Sequence, residues 1–208
     1  MESRPSNFLV TRRVSHDVSA MPTETPPKPP QENIVFIGFM GSGKSTVGKI
    51  VARKLRFQFL DTDKIVAERA RMTIPEIFEH HGEPHFRERE TAVLESLLGV
   101  RRHVFATGGG IVTEPRNLPI LRRLGLVVLL KADSEEIYRR VSRNTERPLL
   151  QVENPRERVF DLMAERQPLY EQAAQFQVDS TTLRHEEVAD LIINEARRVF
   201  GWREPAKV

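Results

Sequence analysis

From Asn33 onward, five short apolar runs recur along the chain, separated by stretches with helical spacing. Ile34 to Phe39, Phe57 to Leu60, His103 to Ala106, Leu126 to Leu130 and Gln175 to Val178 are of strand length. Val47, Ile50, Val51 and Leu55 share one face of a helix over residues 44–55. The same reasoning predicts helices over Ile65 to Arg71, Ile74 to Phe78, Phe86 to Leu98 and Leu118 to Leu124. Asp133 and Glu136 form a capping-box-like start to a helix that carries Ile137 and Val141. Arg156 to Tyr170 and Glu186 to Phe200 complete the series. Strands that read as continuous apolar runs are buried on both faces, and alternation with helices is how parallel strands are joined. The pattern therefore predicts an α/β domain with a parallel sheet between two helical layers. Ligands of such sheets gather at the carboxyl ends of the strands, so the residues just after each strand are the candidates for chemistry.

The first 32 residues break this pattern. Residues 22–32 read PTETPPKPPQE, too polar and proline-rich to bury much surface. Upstream, Glu2, Asp17 and the lack of a continuous apolar stretch argue against a targeting peptide. The expectation is a disordered extension over 1–32 and one domain over 33–202. Hydrophobic residues at 39% and charged residues at 29% suit such a soluble domain. A net charge of +3 is too small to mark a nucleic-acid surface by itself. The absence of cysteine excludes disulfides, thiolate metal sites and cysteine nucleophiles. The longest apolar run, Leu124 to Leu130, is far short of the roughly 20 residues that span a bilayer. The expectation is a cytoplasmic monomer with neither a membrane nor a nucleic-acid partner. His80 and His81 are adjacent, so they point to different faces of a helix and suggest no metal site.

The chemistry is concentrated after the first strand. Gly38-Phe39-Met40-Gly41-Ser42-Gly43-Lys44-Ser45 matches the phosphate-loop pattern GxxxxGK[ST] in full, between a strand and a helix. Gly41, Ser42 and Gly43 let backbone N–H groups converge on phosphate oxygens, aided by the positive end of the helix dipole. Lys44 reaches the β- and γ-phosphates, the Ser45 hydroxyl suits Mg²⁺, and Thr46 adds a second hydroxyl. The motif predicts a nucleoside triphosphate but does not separate kinase, GTPase and motor.

Asp61 and Asp63 follow the second strand. They suit a Mg²⁺ ligand and a group that orients or deprotonates an attacking hydroxyl, or else a helix cap. Arg87 is spaced either for a surface ion pair with Glu90 or, anchored by Phe86, for a substrate carboxylate oriented through Glu90. Gly108-Gly109-Gly110 is either a hairpin turn or a close approach of backbone to ligand; Ile111 and Val112, which continue as an apolar pair, favour the latter. Among Arg139, Arg140, Arg143, Arg147, Arg156 and Arg158, Arg147 beside Pro148 is best placed to meet a transferring phosphate. Arg166, just before Pro168, is either exposed or functional.

Together these segments resemble the shikimate kinases. GFMGSGKST, FLDTD (59–63), GEPHFRERE (82–90), TGGGIV (107–112), NTERPLL (144–150) and ERQPLY (165–170) carry the resemblance, which runs from about Asn33 to Phe200. It implies a P-loop nucleoside-monophosphate-kinase-like three-layer sandwich, with five parallel strands in the order 2-3-1-4-5. It implies transfer of the γ-phosphate of ATP, with Mg²⁺, to the 3-hydroxyl of shikimate, a step towards chorismate and the aromatic amino acids. The substrate region would lie at about 62–98 and a lid at about 143–157. Asp63 would bind the reacting hydroxyl and act as base, and Asp61 would lie near Mg²⁺. Arg87 and Arg166 would hold the carboxylate, while Gly109 and Gly110 present backbone to the ring. Arg147 would be the lid arginine, and Arg140 would pack on adenine. A gluconate-type kinase and an inactive nucleotide-binding module are the alternatives. The arginine pair with the triple glycine argues against the first, and intact Lys44, Ser45, Asp63 and Arg147 against the second.

Overall fold

The computed structural model describes residues 31–142 and 148–202. Arg147, the first part of the expected lid and nearly all of the expected extension lie outside the described residues. The strands are β1 Ile34–Ile37, β2 Gln58–Asp61, β3 His103–Ala106, β4 Leu126–Lys131 and β5 Phe176–Asp179. The helices are α1 Lys44–Leu55, α2 Thr62–Ala70, α3 Ile74–Ser96, α4 Asn117–Leu124, α5 Ser134–Val141, α6 Pro155–Ala173 and α7 His185–Phe200. All strand pairs are parallel, and their order is β2-β3-β1-β4-β5.

Two faces of the sheet explain the uninterrupted apolar strands. Successive side chains alternate across a strand. Val35, Ile37, Phe105, Val127 and Leu129 pack with residues of α3, α4, α5 and α6. Ile34, Phe36, Val104, Val128 and Leu130 pack with α1 and α7. The three-layer expectation holds.

Local chemistry sets the helix ends that matter for the site. Thr73 caps α3 with a capping box: its Oγ1 accepts from Glu76 N, and the Glu76 carboxylate accepts from Thr73 N at 2.7 Å. The two helices expected over 74–78 and 86–98 form one element, broken at Gly82, whose φ of 78° is outside the helical range. Pro84 follows at once. Because one residue suffices for the break, Glu83 and Arg87 share one helical segment. At the opposite end of the sheet, buried Asn33 donates to the carbonyls of Val100 and Leu124, both at 2.8 Å, and accepts from His103 N at 2.9 Å. Buried Ser180, just after β5, directs its hydroxyl to the carbonyls of Lys131 at 2.9 Å and Ser42 at 3.2 Å.

Candidate active site

The phosphate loop connects β1 to α1, and Gly43, in the left-handed region at φ 96°, sets the entry to the helix. Lys44 is buried, and its Nζ donates to the carbonyls of Gly38 at 2.8 Å and Phe39 at 2.9 Å. The ammonium thus lies along the loop from which it arises. Ser45 Oγ donates to Asp61 Oδ2 at 2.9 Å. A hydroxyl and a carboxylate side by side are the hard oxygen donors that Mg²⁺ takes alongside phosphates and water. Asp61 holds the N-cap position of α2 but makes no side-chain capping bond, so capping does not explain it. Thr46 is exposed in the first turn of α1. Arg140 is held beside the loop: its Nε donates to Glu136 at 2.6 Å and its Nη1 to the Gly41 carbonyl at 3.2 Å.

Next to the loop lies a cleft partly open to solvent. Asp63, Arg87, Glu90, Arg166 and the three glycines line it, with Met40, Ile74, Phe78, Phe86 and Leu149 as an apolar wall. Asp63 comes from the first turn of α2, Arg87 and Glu90 from α3, and Arg166 from α6. The glycine segment ends β3 and turns through Ile111–Thr113 into α4, so it is no hairpin. A Cβ on Gly108 would lie 2.2 Å from Glu90 Oε1 and 2.6 Å from Asp63 Oδ1. One on Gly110 would lie 2.3 Å from the Arg87 guanidinium. These glycines make room for the functional side chains themselves.

Arg87 and Glu90 do form an ion pair, at 2.6 Å, but not at the surface: the Glu90 side chain is 0% exposed and that of Arg87 only 11%. Glu83, which the sequence reading did not single out, takes the other side of the guanidinium, accepting from Nε at 3.1 Å and Nη2 at 2.5 Å. Burial pushes the Glu90 carboxyl up to about 7, outweighing the attraction of Arg87, and nearby Asp63 adds to the rise. Glu90 Oε1 and Arg166 Nε have no hydrogen-bond partner among the described residues. Arg166 is 4% exposed, which removes the surface reading, and its Nη1 points at the Gly109 carbonyl at 3.4 Å. Tyr170, one turn later, donates its hydroxyl to the same carbonyl. Its spacing of four from Arg166 was the available sequence signal. Asp63, Arg87, Gly109, Gly110 and Arg166 are thus gathered in one cleft, and Lys44 and Ser45 adjoin it with Asp61, at the end of β2, bonded to Ser45. Arg147 lies outside the described residues.

The family model described as "Shikimate kinase" matches residues 40–197. A shikimate kinase from Caldanaerobacter subterraneus subsp. tengcongensis is 48% identical over 170 residues, covering 82% of this chain and 99% of that protein. One from Thermodesulfovibrio yellowstonii is 45% identical over 172 residues, covering 83% and 99%. Among solved structures, the shikimate kinase from Acinetobacter baumannii in complex with shikimate has a TM-score of 0.77 at 37% identity, covering 85% of this chain and 97% of that one.

Proposed function

The chain belongs to the shikimate kinase family, and from that premise we propose that its cleft and loop transfer the γ-phosphate of ATP to the 3-hydroxyl of shikimate. One observation carries the residue assignment: two guanidinium groups, a carboxylate and a glycine floor converge on one cleft beside the phosphate loop. An acidic, polyhydroxylated ring needs those groups. Arg87 and Arg166 pair with its carboxylate, a planar match that an ammonium lacks. The backbone of Gly109 and Gly110 lies against the ring, and the apolar wall covers its other side.

Asp63 orients the 3-hydroxyl. As its oxygen bonds to the γ-phosphorus, the bond from phosphorus to the bridging oxygen breaks, the hydroxyl proton passes to Asp63, and ADP leaves. Lys44 turns from the loop carbonyls to the β- and γ-phosphates, and the loop N–H groups hold the rest. Ser45 and Asp61 would hold Mg²⁺, which would supply neutralisation of the phosphate charge. Arg140 flanks the nucleotide, and Arg147 is the expected partner of the transferring phosphate. Catalysis here consists of positioning and charge balance.

ADP release measured by a coupled assay with shikimate, quinate and gluconate tests the reading. The expected outcome is turnover that depends on shikimate. Equal turnover with gluconate, or binding without turnover, overturns it.

A further inference from the structure

A phenol hydroxyl is costly to bury unless it is hydrogen-bonded, and phenylalanine would fill the same space without that cost. Tyr170 is 2% exposed, and its hydroxyl reaches the Gly109 carbonyl. That carbonyl also faces Arg166 Nη1. Gly109 in turn lies against the phosphate loop: a Cβ there would be 3.1 Å from Met40 N. Tyr170 also lines a second, smaller pocket together with Phe39 and Ser42 of the same loop. We propose that Tyr170 is a positioning residue for the acidic acceptor, pinning the Gly109 carbonyl so that the glycine backbone and the Arg166 guanidinium keep the geometry that receives the substrate. The inference rests on the assignment of Gly109 and Arg166 to shikimate.

The Tyr170 hydroxyl is a dependable donor, because burial pushes its pKa well above the usual phenol range. Arg166 supplies the reason its loss would matter. Its Nε has no partner among the described residues, and its bond to Gly109 is long. Without the phenol, the guanidinium is the remaining donor near that carbonyl. It is drawn towards the backbone and away from the substrate. The effect falls on acceptor binding, since the Tyr170 hydroxyl meets the backbone of the cleft floor at Gly109 while Tyr170 itself does not line the cleft.

The test is Tyr170→Phe in the full chain, with steady-state kinetics in both substrates and a melting curve. The expected result is a KM for shikimate raised about five- to tenfold, the loss of one well-placed hydrogen bond, with kcat and the KM for ATP within about twofold of wild type. Tyr170→Leu serves as a packing control, with a lowered melting temperature expected. An unchanged KM for shikimate in Tyr170→Phe overturns the inference, as does an equal rise in both KM values, which marks a packing role. Wild-type protein that fails to turn over shikimate overturns the substrate assignment, and the inference with it.

Discussion

Asp63 stands in the first turn of α2, with one carboxylate oxygen directed at Gly108 beside Glu90. As the proposed proton acceptor it should be indispensable for turnover but not for nucleotide binding. Asp63→Asn is expected to lower kcat by at least about a hundredfold, the usual worth of a positioned base, while calorimetry shows ATP binding unchanged. Near-normal turnover would remove Asp63 from that role. Arg87→Ala is expected to raise the KM for shikimate roughly 10- to 100-fold, the worth of charged hydrogen bonds, and an unchanged KM would leave Arg87 a structural ion pair. Glu90 gives a pH signature. Its folded carboxyl, at about 7 against an ordinary 4.5, holds its proton more tightly than the unfolded chain does. Its contribution to stability is therefore full below about 4.5 and is lost as pH rises towards about 7. In urea titrations across that window, the stability of wild type relative to Glu90→Gln should decline with rising pH; a flat difference would refute the assignment.

At the scale of elements, the turn after β3 is under a steric constraint set by the side chains packed on its glycines. Gly110→Ala drives a methyl into the Arg87 guanidinium. Overpacking of about 1–3 kcal/mol is expected, displacing the fork and raising the KM for shikimate by about tenfold without affecting the KM for ATP; equal effects on both would place the strain elsewhere. The elements themselves were largely legible, because five continuous apolar runs with helical spacing between them admit few other arrangements. The sequence-based bounds of α1 and β3 are the observed ones. The start of α2 was not legible: Thr62 and Asp63 are polar and give no apolar rhythm, so the helix appeared to begin at Ile65. The gap left between the helices expected over 74–78 and 86–98 was overdrawn, because only Gly82 leaves helical geometry. In the site, the phosphate loop could be read from its spacing, whereas spacing left the two aspartates open between a functional role and a helix cap. Whether Arg166 is buried could not be read, because that depends on packing between α6 and the glycine turn. Tyr170 was hidden for the same reason: its partner is 61 residues away.

At the scale of the whole molecule, among the described residues the only large hydrophobic side chain classed as exposed is Val152, at 46%. Stable dimers bury a substantial, partly apolar patch. The monomer expected from the sequence would show a sedimentation coefficient independent of protein concentration; a concentration-dependent shift would contradict that expectation. The Ser180 hydroxyl that reaches the Ser42 carbonyl has a further consequence. It ties the first loop of the domain to a residue 138 positions later, and α1 packs under α7, the last helix. The ribosome delivers the loop early and its supports last. A nucleotide bound at the loop would therefore stabilise the fold only once both of these distant segments are in place, because a ligand adds stability only to the state that can bind it.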